Sequence, residues 1–385
     1  MKFLDWLKGP TPLSILSALA IGAVLMVLAG SDPISGYAAM VKGSFGSGIG
    51  VANTLQRAVP IVAFGLAIAL AFRAGVINLG TEGQAVLGAL VGGIVALYMP
   101  GPAFLVTLVA LAAGIATGAL WALITAVLQN YLGVPILIST LLLNYPARYI
   151  SSWMIRFKLN DTESDLIASE QFDPGTQIGM IVPRRSGAGE ALANSAPRYL
   201  TEILTGVNWG FFVVVALIVF VTFLNRKTKY GFESGLAGYN AEFTRYGGVS
   251  AKQLVVKTMT LSGAIAGLAG MLIVLGAPNT RMIEGHVVQT NYAWTALLVT
   301  LLAMYRPIGV AIAGLFFAAI IVGSLAMGRE LGMSPQISAV IQALVIILIV
   351  FQVTLPQFKK KKRPDETPTA ADPHLTTPEG AKNAL

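Results

Sequence analysis

Long apolar stretches separated by short polar segments run along most of this chain. A membrane-spanning helix needs about 20 predominantly apolar residues. Ten stretches come near or reach that length: 12–30, 52–72, 81–99, 102–128, 134–155, 208–225, 253–277, 291–305, 307–327 and 335–353. The pattern therefore predicts an all-α, polytopic membrane protein of about ten transmembrane helices, and an even number of crossings places both termini on the same side.

The apolar pattern is interrupted most clearly around Glu82, the only acidic residue between Asp32 and Asp161. Residues 58–72 and 85–99 are apolar runs of 15 residues on either side of a polar, glycine-bearing segment. Each run reaches only about 22 Å, short of a hydrocarbon core of about 30 Å. Paired short segments of this kind are typical of discontinuous helices at transport sites. The sequence thus predicts at least one discontinuous helix region, with Glu82 in the second helix's first turn.

Two interpretations of this break remain open from the sequence. In the first, Thr81 and Gln84 form a capping box that starts a helix inside the membrane, and the break lines a substrate path. In the second, residues 53–72 form a complete span, the break is a cytoplasmic turn, and Glu82 is a solvated cap near Arg73.

Other patterns in the spans point first to packing. Asn144 and Arg148 lie within the 134–155 stretch, and an intramembrane Asn more often bridges helices than contacts substrate. Glycines four residues apart, at 114 and 118 and again at 263 and 267, are signals for close helix packing. Arg73 and Arg306 each follow an apolar run and precede a glycine, which faintly suggests two related halves of the chain.

Composition supports the membrane assignment and narrows the chemistry. Of the 385 residues, 55% are hydrophobic and 11% are charged, against about 25% charged in soluble domains. There are no cysteines and only two histidines, so we expect neither a disulfide nor a metal site. The net charge of +8 does not indicate nucleic-acid binding, because the basic residues concentrate in expected cytoplasmic segments.

The distribution of Lys and Arg predicts the orientation and the domain limits. Residues 226–252 carry five basic and two acidic residues, and a run of four lysines and an arginine occupies 359–363. The positive-inside rule puts both on the cytoplasmic side. Residues 156–206 carry five basic and seven acidic residues and fall outside. We therefore predict a transmembrane domain over 1–356 with an extracytoplasmic loop at 156–206, a cytoplasmic loop at 226–252, and a disordered cytoplasmic tail at 357–385.

The 226–252 loop contains a candidate docking element. Asn240 can cap a short helix that carries Phe243 and Tyr246 three residues apart, and Gly247 with Gly248 can end it. Exposed aromatic rings among basic residues suit either a cytoplasmic protein partner or an interfacial helix resting on lipid. Spacing alone does not separate the two.

Missing motifs also restrict the function. The dipeptide Gly-Lys does not occur, so the chain has no phosphate-binding loop of the G-x-x-x-x-G-K-[ST] kind. We expect no catalytic residues and no enzymatic activity. Proton-coupled carriers usually display several intramembrane acidic and histidine residues. A single candidate acid argues against an ion-coupled secondary carrier, although coupling to sodium stays open.

Three segments resemble those of bacterial ABC-importer permeases of the nucleoside branch. Residues 71–84 read AFRAGVINLGTEGQ and are similar to the family's F-R/N-x-G-x-x-N-I-G-x-E-G-Q. Residues 137–145, LISTLLLNY, resemble V-I-x-T-L-M-L-N-Y, and residues 238–249, GYNAEFTRYGGV, resemble G-x-N-x-x-A-A-x-Y-x-G-I. The chain departs from the pattern at Phe243 and Thr244, where Ala-Ala is usual, and at Pro146. The wider superfamily includes permeases for simple sugars and branched-chain amino acids.

This resemblance implies a transport subunit, embedded in the bacterial cytoplasmic membrane, that imports nucleosides. A simple sugar or a branched-chain amino acid is the alternative substrate. The implied partners are a cytoplasmic ABC ATPase carrying ATP and Mg²⁺, a second permease (a paralogue or a second copy of this chain), an extracytoplasmic substrate-binding protein and the lipid bilayer. This chain itself would carry no cofactor. Candidate pathway residues are Asn78, Glu82, Gln84 and Asn144. Candidate ATPase-coupling residues are Gly238, Tyr239, Asn240, Phe243, Arg245 and Tyr246.

Overall fold

A computed structural model describes residues 20–24, 26–28, 30–276, 281–288, 291–332 and 343. Within these ranges the regular secondary structure is helical, and pairing between extended segments is limited to isolated bridges. In chain order the helices are α1 (Pro33–Phe45), α2 (Gly48–Arg73), α3 (Thr81–Tyr98), α4 (Ala103–Leu132), α5 (Ile136–Phe157), α6 (Gly187–Ser195), α7 (Arg198–Gly206), α8 (Gly210–Lys227), α9 (Lys229–Tyr239), α10 (Ala241–Tyr246), α11 (Ala251–Val274), α12 (Glu284–Val288), α13 (Tyr292–Leu302) and α14 (Pro307–Glu330).

The apolar helix α2 lies at the centre of the bundle. Nearly every residue from Ala58 to Ala71 is buried, including Phe64 and Ile61. Helices α8, α11, α13 and α14 surround it. Because a helix that is apolar on all sides can bury all of its faces, this sequence suits the centre better than an amphipathic one would.

Helices α3, α4 and α11 pack closely through glycines. A Cβ added at Gly118 of α4 would fall closer than 3.0 Å to the carbonyl oxygen of Gly263 on α11. One added at Gly267 would meet the Gly114 carbonyl equally closely, and one at Gly88 of α3 would be 2.8 Å from that same oxygen. The two glycine pairs predicted to favour packing therefore face each other, so backbones approach where side chains would keep them apart.

Six of these helices are long and apolar enough to cross a membrane: α2, α3, α4, α8, α11 and α14. A seventh results if α1 and the bent segment before it form one span. Helix α5 has 22 residues, but it is not among the six because its Ser, Asn, Tyr and Arg residues lower its hydropathy. Helix α13 has only 11 residues, about 16 Å. Most of the stretch at 12–30 and nearly all of 335–353 lie outside the described residues, so the expected ten crossings stay a prediction.

The 156–206 segment is attached to the bundle by several contacts. It contains α6, α7 and a short 3₁₀ turn at Pro174–Thr176. Asp161 pairs with Arg281 at 3.1 Å, and the Glu202 carboxylate accepts a hydrogen bond of 3.3 Å from the Ile49 amide at the start of α2. The segment thus packs on the end of the bundle opposite to α9 and α10. The predicted tail at 357–385 lies outside the described residues.

Candidate functional site

The break between α2 and α3 is a buried, hydrogen-bonded segment. After Arg73 the chain turns at Gly75 (φ 75°) and runs back without helical structure as far as Gly80. Asn78 is fully buried, and its Nδ2 donates to the Ser262 hydroxyl at 2.9 Å and to Gln84 Oε1 at 3.1 Å. Ser262 donates in turn to the Ala67 carbonyl at 2.8 Å. These bonds hold the non-helical segment against α2 and α11.

Helix α3 begins at Thr81 as predicted, but the predicted capping box is wrong. Thr81 is the first helical residue, Gly80 occupies the cap position, and no cap side chain bonds to the helix. Gln84 reaches Asn78 at 3.1 Å instead. The amide of Gly83 is satisfied from another helix, because Asn144 of α5 accepts its hydrogen bond at 2.8 Å. The first turn of α3 is therefore capped by the Asn144 side chain, from another helix, and not by a neighbouring residue in the sequence.

Asn144 connects both sides of the break to α5. Besides accepting from the Gly83 amide, it donates from Nδ2 to the Leu79 carbonyl at 2.9 Å. This confirms the prediction that Asn144 bridges helices. Pro146, which departs from the family pattern, lies inside α5 without ending it.

Glu82 forms an ion pair with Arg148 at the base of α3. The Glu82 side chain is 2% exposed and that of Arg148 is 30% exposed, so the pair runs from the interior towards an open surface. Arg148 follows Asn144 by one helical turn and lies on the same face of α5. The sequence contains that spacing, but only the fold shows that the face meets Glu82.

The two interpretations of the break are each partly wrong. Helix α2 has 26 residues, about 39 Å, so it is a complete span and not a short segment. Glu82 is nevertheless buried and paired with Arg148, so it is not a solvated cap near Arg73. Ser262, which bonds Asn78, is eleven residues after Ala251, or about 16 Å along α11. The non-helical segment therefore lies beside the middle of the apolar helix α11, and α3 begins inside the bundle.

A cavity of about 480 Å³ opens beside this network, between α5 and α12. Tyr145, Arg148, Tyr149, Ser152, Arg156, Glu284, Val288 and Asn291 line it. Both tyrosine rings are accessible, since Tyr145 is 52% and Tyr149 is 72% exposed. The cavity thus combines two aromatic rings with guanidinium, hydroxyl and carboxylate groups.

The charges in this cavity are paired. The Arg156 guanidinium lies 2.7 Å from the Glu284 carboxylate, which also accepts a hydrogen bond from the Ser152 hydroxyl. Burial raises the pKa of Glu284, but the bonds from Arg156 and Ser152, with the Arg156 charge, outweigh burial and lower it overall. Glu284 is therefore ionised at neutral pH. Arg148 and Glu82 form a second ion pair where the cavity meets α3. The four side chains of the two pairs therefore carry two positive and two negative charges.

The structure brings the four candidate pathway residues together. Asn78, Glu82, Gln84 and Asn144 are all buried around the break, but their polar groups bond mostly to one another and to the backbone. Residues that the sequence did not single out, Tyr149, Ser152 and Glu284, line the accessible cavity. The four candidate residues therefore lie behind the cavity, whereas residues on the neighbouring face of α5 line it.

The predicted docking helix forms in the 226–252 segment. Asn240 caps α10 by accepting a hydrogen bond of 2.9 Å from the Phe243 amide, and Gly247 ends the helix. Tyr239 is 92%, Phe243 60% and Tyr246 91% exposed, and Arg245 is exposed beside them. Thr244 turns inward and is buried.

Gly238 joins this segment to the break. A Cβ added there would collide with the carbonyl oxygen of Arg73 at the end of α2, so the two backbones are in direct contact.

A bundle of long apolar helices around a buried polar break is the architecture of a multi-pass membrane protein. The family model for the permease component of the branched-chain amino acid transport system matches residues 50–350, so the chain belongs to that family of ABC-importer permeases. Members of this family are transport subunits and not enzymes, and they associate with ATPase and substrate-binding partners.

Relatives of known assignment transport different solutes. A glucose ABC transporter permease of Haloferax volcanii is 33% identical over 90% of this chain and 88% of its own length. A guanosine ABC transporter permease of Bacillus subtilis is 28% identical over 91% of this chain and 96% of its own length. A nucleoside ABC transporter permease of Lactococcus lactis is 27% identical over 92% of this chain and 95% of its own length. No solved structure matches the chain.

Proposed function

We propose that this chain is the membrane subunit of an ATP-driven importer of nucleosides. The observation that carries the substrate class is the cavity between α5 and α12. Tyr145 and Tyr149 offer rings on which a planar base can stack, and Arg156, Ser152 and Glu284 offer donors and acceptors for a sugar. Because Arg148 pairs with Glu82 and Arg156 pairs with Glu284, none of these four charges is left unpaired, and the site suits an uncharged solute.

Two further observations support a nucleoside. The Glu82-Gly83-Gln84 sequence resembles the nucleoside branch, and the two relatives that carry guanosine or nucleosides each cover at least 91% of this chain. The glucose permease has the higher identity, 33%, and favours a simple sugar as the second candidate. Aromatic rings also bind sugars, so uptake has to separate the two substrates.

Substrate competition tests this proposal. The complete transporter is reconstituted in proteoliposomes with ATP on the ATPase side, and uptake of labelled guanosine, cytidine and glucose is measured with the binding protein present. We expect saturable guanosine or cytidine uptake that excess glucose does not inhibit. Glucose uptake with neither nucleoside transported would replace the proposal with a sugar importer.

The aromatic cavity gives a sharper prediction. Tyr149→Leu should lower the kcat/KM of nucleoside uptake about tenfold, because base stacking contributes about 1–3 kcal/mol, whereas Tyr149→Phe keeps the ring and should stay near wild type. Tyr131→Leu is the matched control, since Tyr131 is 78% exposed at the end of α4 and does not line the cavity. Equal uptake by Tyr149→Leu and Tyr149→Phe would refute a stacking role.

In the proposed assembly the partner ATPase docks on α10. Gly238, Tyr239, Asn240, Phe243, Arg245 and Tyr246 would carry the coupling. ATP and Mg²⁺ would bind to the ATPase, and a second permease would face this one across the pathway. The concentration of basic residues in this segment supports a cytoplasmic location, with both termini on that side and 156–206 outside.

Exposed aromatic residues make the docking proposal testable. Phe243→Ala with Tyr246→Ala should weaken ATPase association about 30-fold or more, since buried aromatic anchors contribute at least about 2 kcal/mol to interfaces. Folding should be kept, because both rings are exposed and the Asn240 cap remains. Tyr199→Ala, in the 156–206 segment at the opposite end, is the control. Co-purification of the ATPase is the measurement, and undiminished recovery would place docking elsewhere.

A further inference from the structure

A second cavity, of about 500 Å³, lies at the α9 end of the bundle, where α2 and α8 end and α14 begins. Three arginines line it: Arg73, Arg226 and Arg306. Arg73 and Arg306 are the two residues whose similar sequence surroundings suggested related halves. The fold brings them together from positions 233 residues apart in the chain.

The positive charges in this cavity are not compensated within the described part of the chain. None of the three arginines forms an ion pair with a described carboxylate, and the nearby Glu233 pairs with Lys229 at 3.6 Å. Arg73 donates to the carbonyl oxygens of Gly231 at 3.2 Å and Asn225 at 3.4 Å. Its Nε is buried without a partner. Three guanidinium groups around one cavity repel one another unless an anion lies among them.

The start of α14 adds a second feature that favours an anion. Pro307, Ile308 and Gly309, the first three residues of this 24-residue helix, line the same cavity. No side chain caps the helix at Arg306. Pro307 has no amide hydrogen, so the amides of Ile308 and Gly309 and the positive end of the helix dipole lie at the space that the arginines surround.

The surroundings of the cavity indicate where the anion comes from. Helices α2, α8 and α14 are all candidate spans, so their ends here lie at the membrane surface. Phe223, Ile308 and Ile312 are 58%, 54% and 67% exposed beside the cavity, on faces that would meet acyl chains. We propose that this cavity binds a phosphate group, carried by an anionic phospholipid at this surface of the membrane.

A bound phosphate would act on the transport cycle through Arg73. The Arg73 carbonyl is in backbone contact with Gly238, and its guanidinium is bonded to Gly231 at the start of α9. The ligand would thus fix the end of α2 against the helix that leads to α10. The site is independent of which solute is imported.

Native mass spectrometry of the assembled transporter tests the site directly. The complex is titrated with phosphatidylglycerol, with phosphatidylcholine, and with inorganic phosphate. Arg226→Gln combined with Arg306→Gln should weaken phosphatidylglycerol binding by at least about tenfold, since each removes a charge-assisted hydrogen-bond donor. Lys227→Gln is the matched control, because it removes a charge on the same membrane face at a residue that does not line the cavity. The single variant Arg226→Gln, at an exposed residue, provides the test if the double variant does not fold.

The outcomes are distinct. Selective loss of phosphatidylglycerol in the double variant supports a lipid headgroup, and displacement of that lipid by inorganic phosphate supports the same site with a soluble phosphate source. Equal retention of phosphatidylglycerol by wild type, double variant and control would overturn the proposal. Loss of the ATPase subunits with the lipid retained would also overturn it, because the arginines would then contact protein.

Discussion

Replacing Arg148 with methionine should destabilise the assembled transporter more than any other single change at the break. The substitution leaves the Glu82 carboxylate, 2% exposed, without its partner in the bundle interior. Breaking a buried ion pair by removing one partner costs about 3–5 kcal/mol. We expect a strongly lowered apparent Tm in detergent, or failure to assemble, measured by size-exclusion chromatography after a series of heating steps.

The companion variants separate charge from packing. Glu82→Gln leaves Arg148 unpaired, but Arg148 is 30% exposed and can turn to water, so a smaller loss is expected. The double variant Arg148→Met with Glu82→Gln should recover much of the stability lost in Arg148→Met. If Arg148→Met and Glu82→Gln lower the Tm equally, or the double variant recovers nothing, the ion pair is not what supports the start of α3.

The second large effect is expected at the contact between α4 and α11. In Gly118→Leu, the new side chain would meet the backbone carbonyl of Gly263, which cannot move without shifting α11. Overpacking lowers the free energy of unfolding by about 1–3 kcal/mol when neighbouring side chains can adjust. We expect the upper end of that range here, because the obstacle is backbone. The apparent Tm of the assembled transporter is the measurement.

A glycine in an open position provides the matched control. Nothing lies within 4 Å of a Cβ added at Gly187, at the start of α6. Gly187→Ala should therefore leave the Tm within the error of measurement. A Tm for Gly118→Leu as high as that of Gly187→Ala would mean that the two glycine pairs do not hold α4 and α11 together.

Much of the fold could be predicted, because the signals are local. Apolar length located most of the described long helices, and Asn240 three residues before Phe243 predicted the α10 cap. Glycine spacing identified the packing faces of α4 and α11, although not that they face each other. Helix α5 shows the limit of hydropathy, since several of its polar residues line a cavity and Asn144 bonds to the α2–α3 break.

The site could be predicted only in part, because its bonds join distant segments. Thr81 and Gln84 fit a local cap, yet Asn144 satisfies the Gly83 amide from 61 residues away. The partner of Glu82 and the serine that holds Asn78 also come from other helices. No single-segment pattern reveals such pairs.

The central claim is ATP-driven nucleoside import, and one measurement tests it most directly. Proteoliposomes containing the complete transporter are loaded with ATP, with ADP, or with a sodium or proton gradient alone, and guanosine accumulation is followed. We expect accumulation with ATP only, abolished when the ATPase subunit is omitted. Accumulation driven by an ion gradient through this chain alone would contradict the account and identify a secondary carrier.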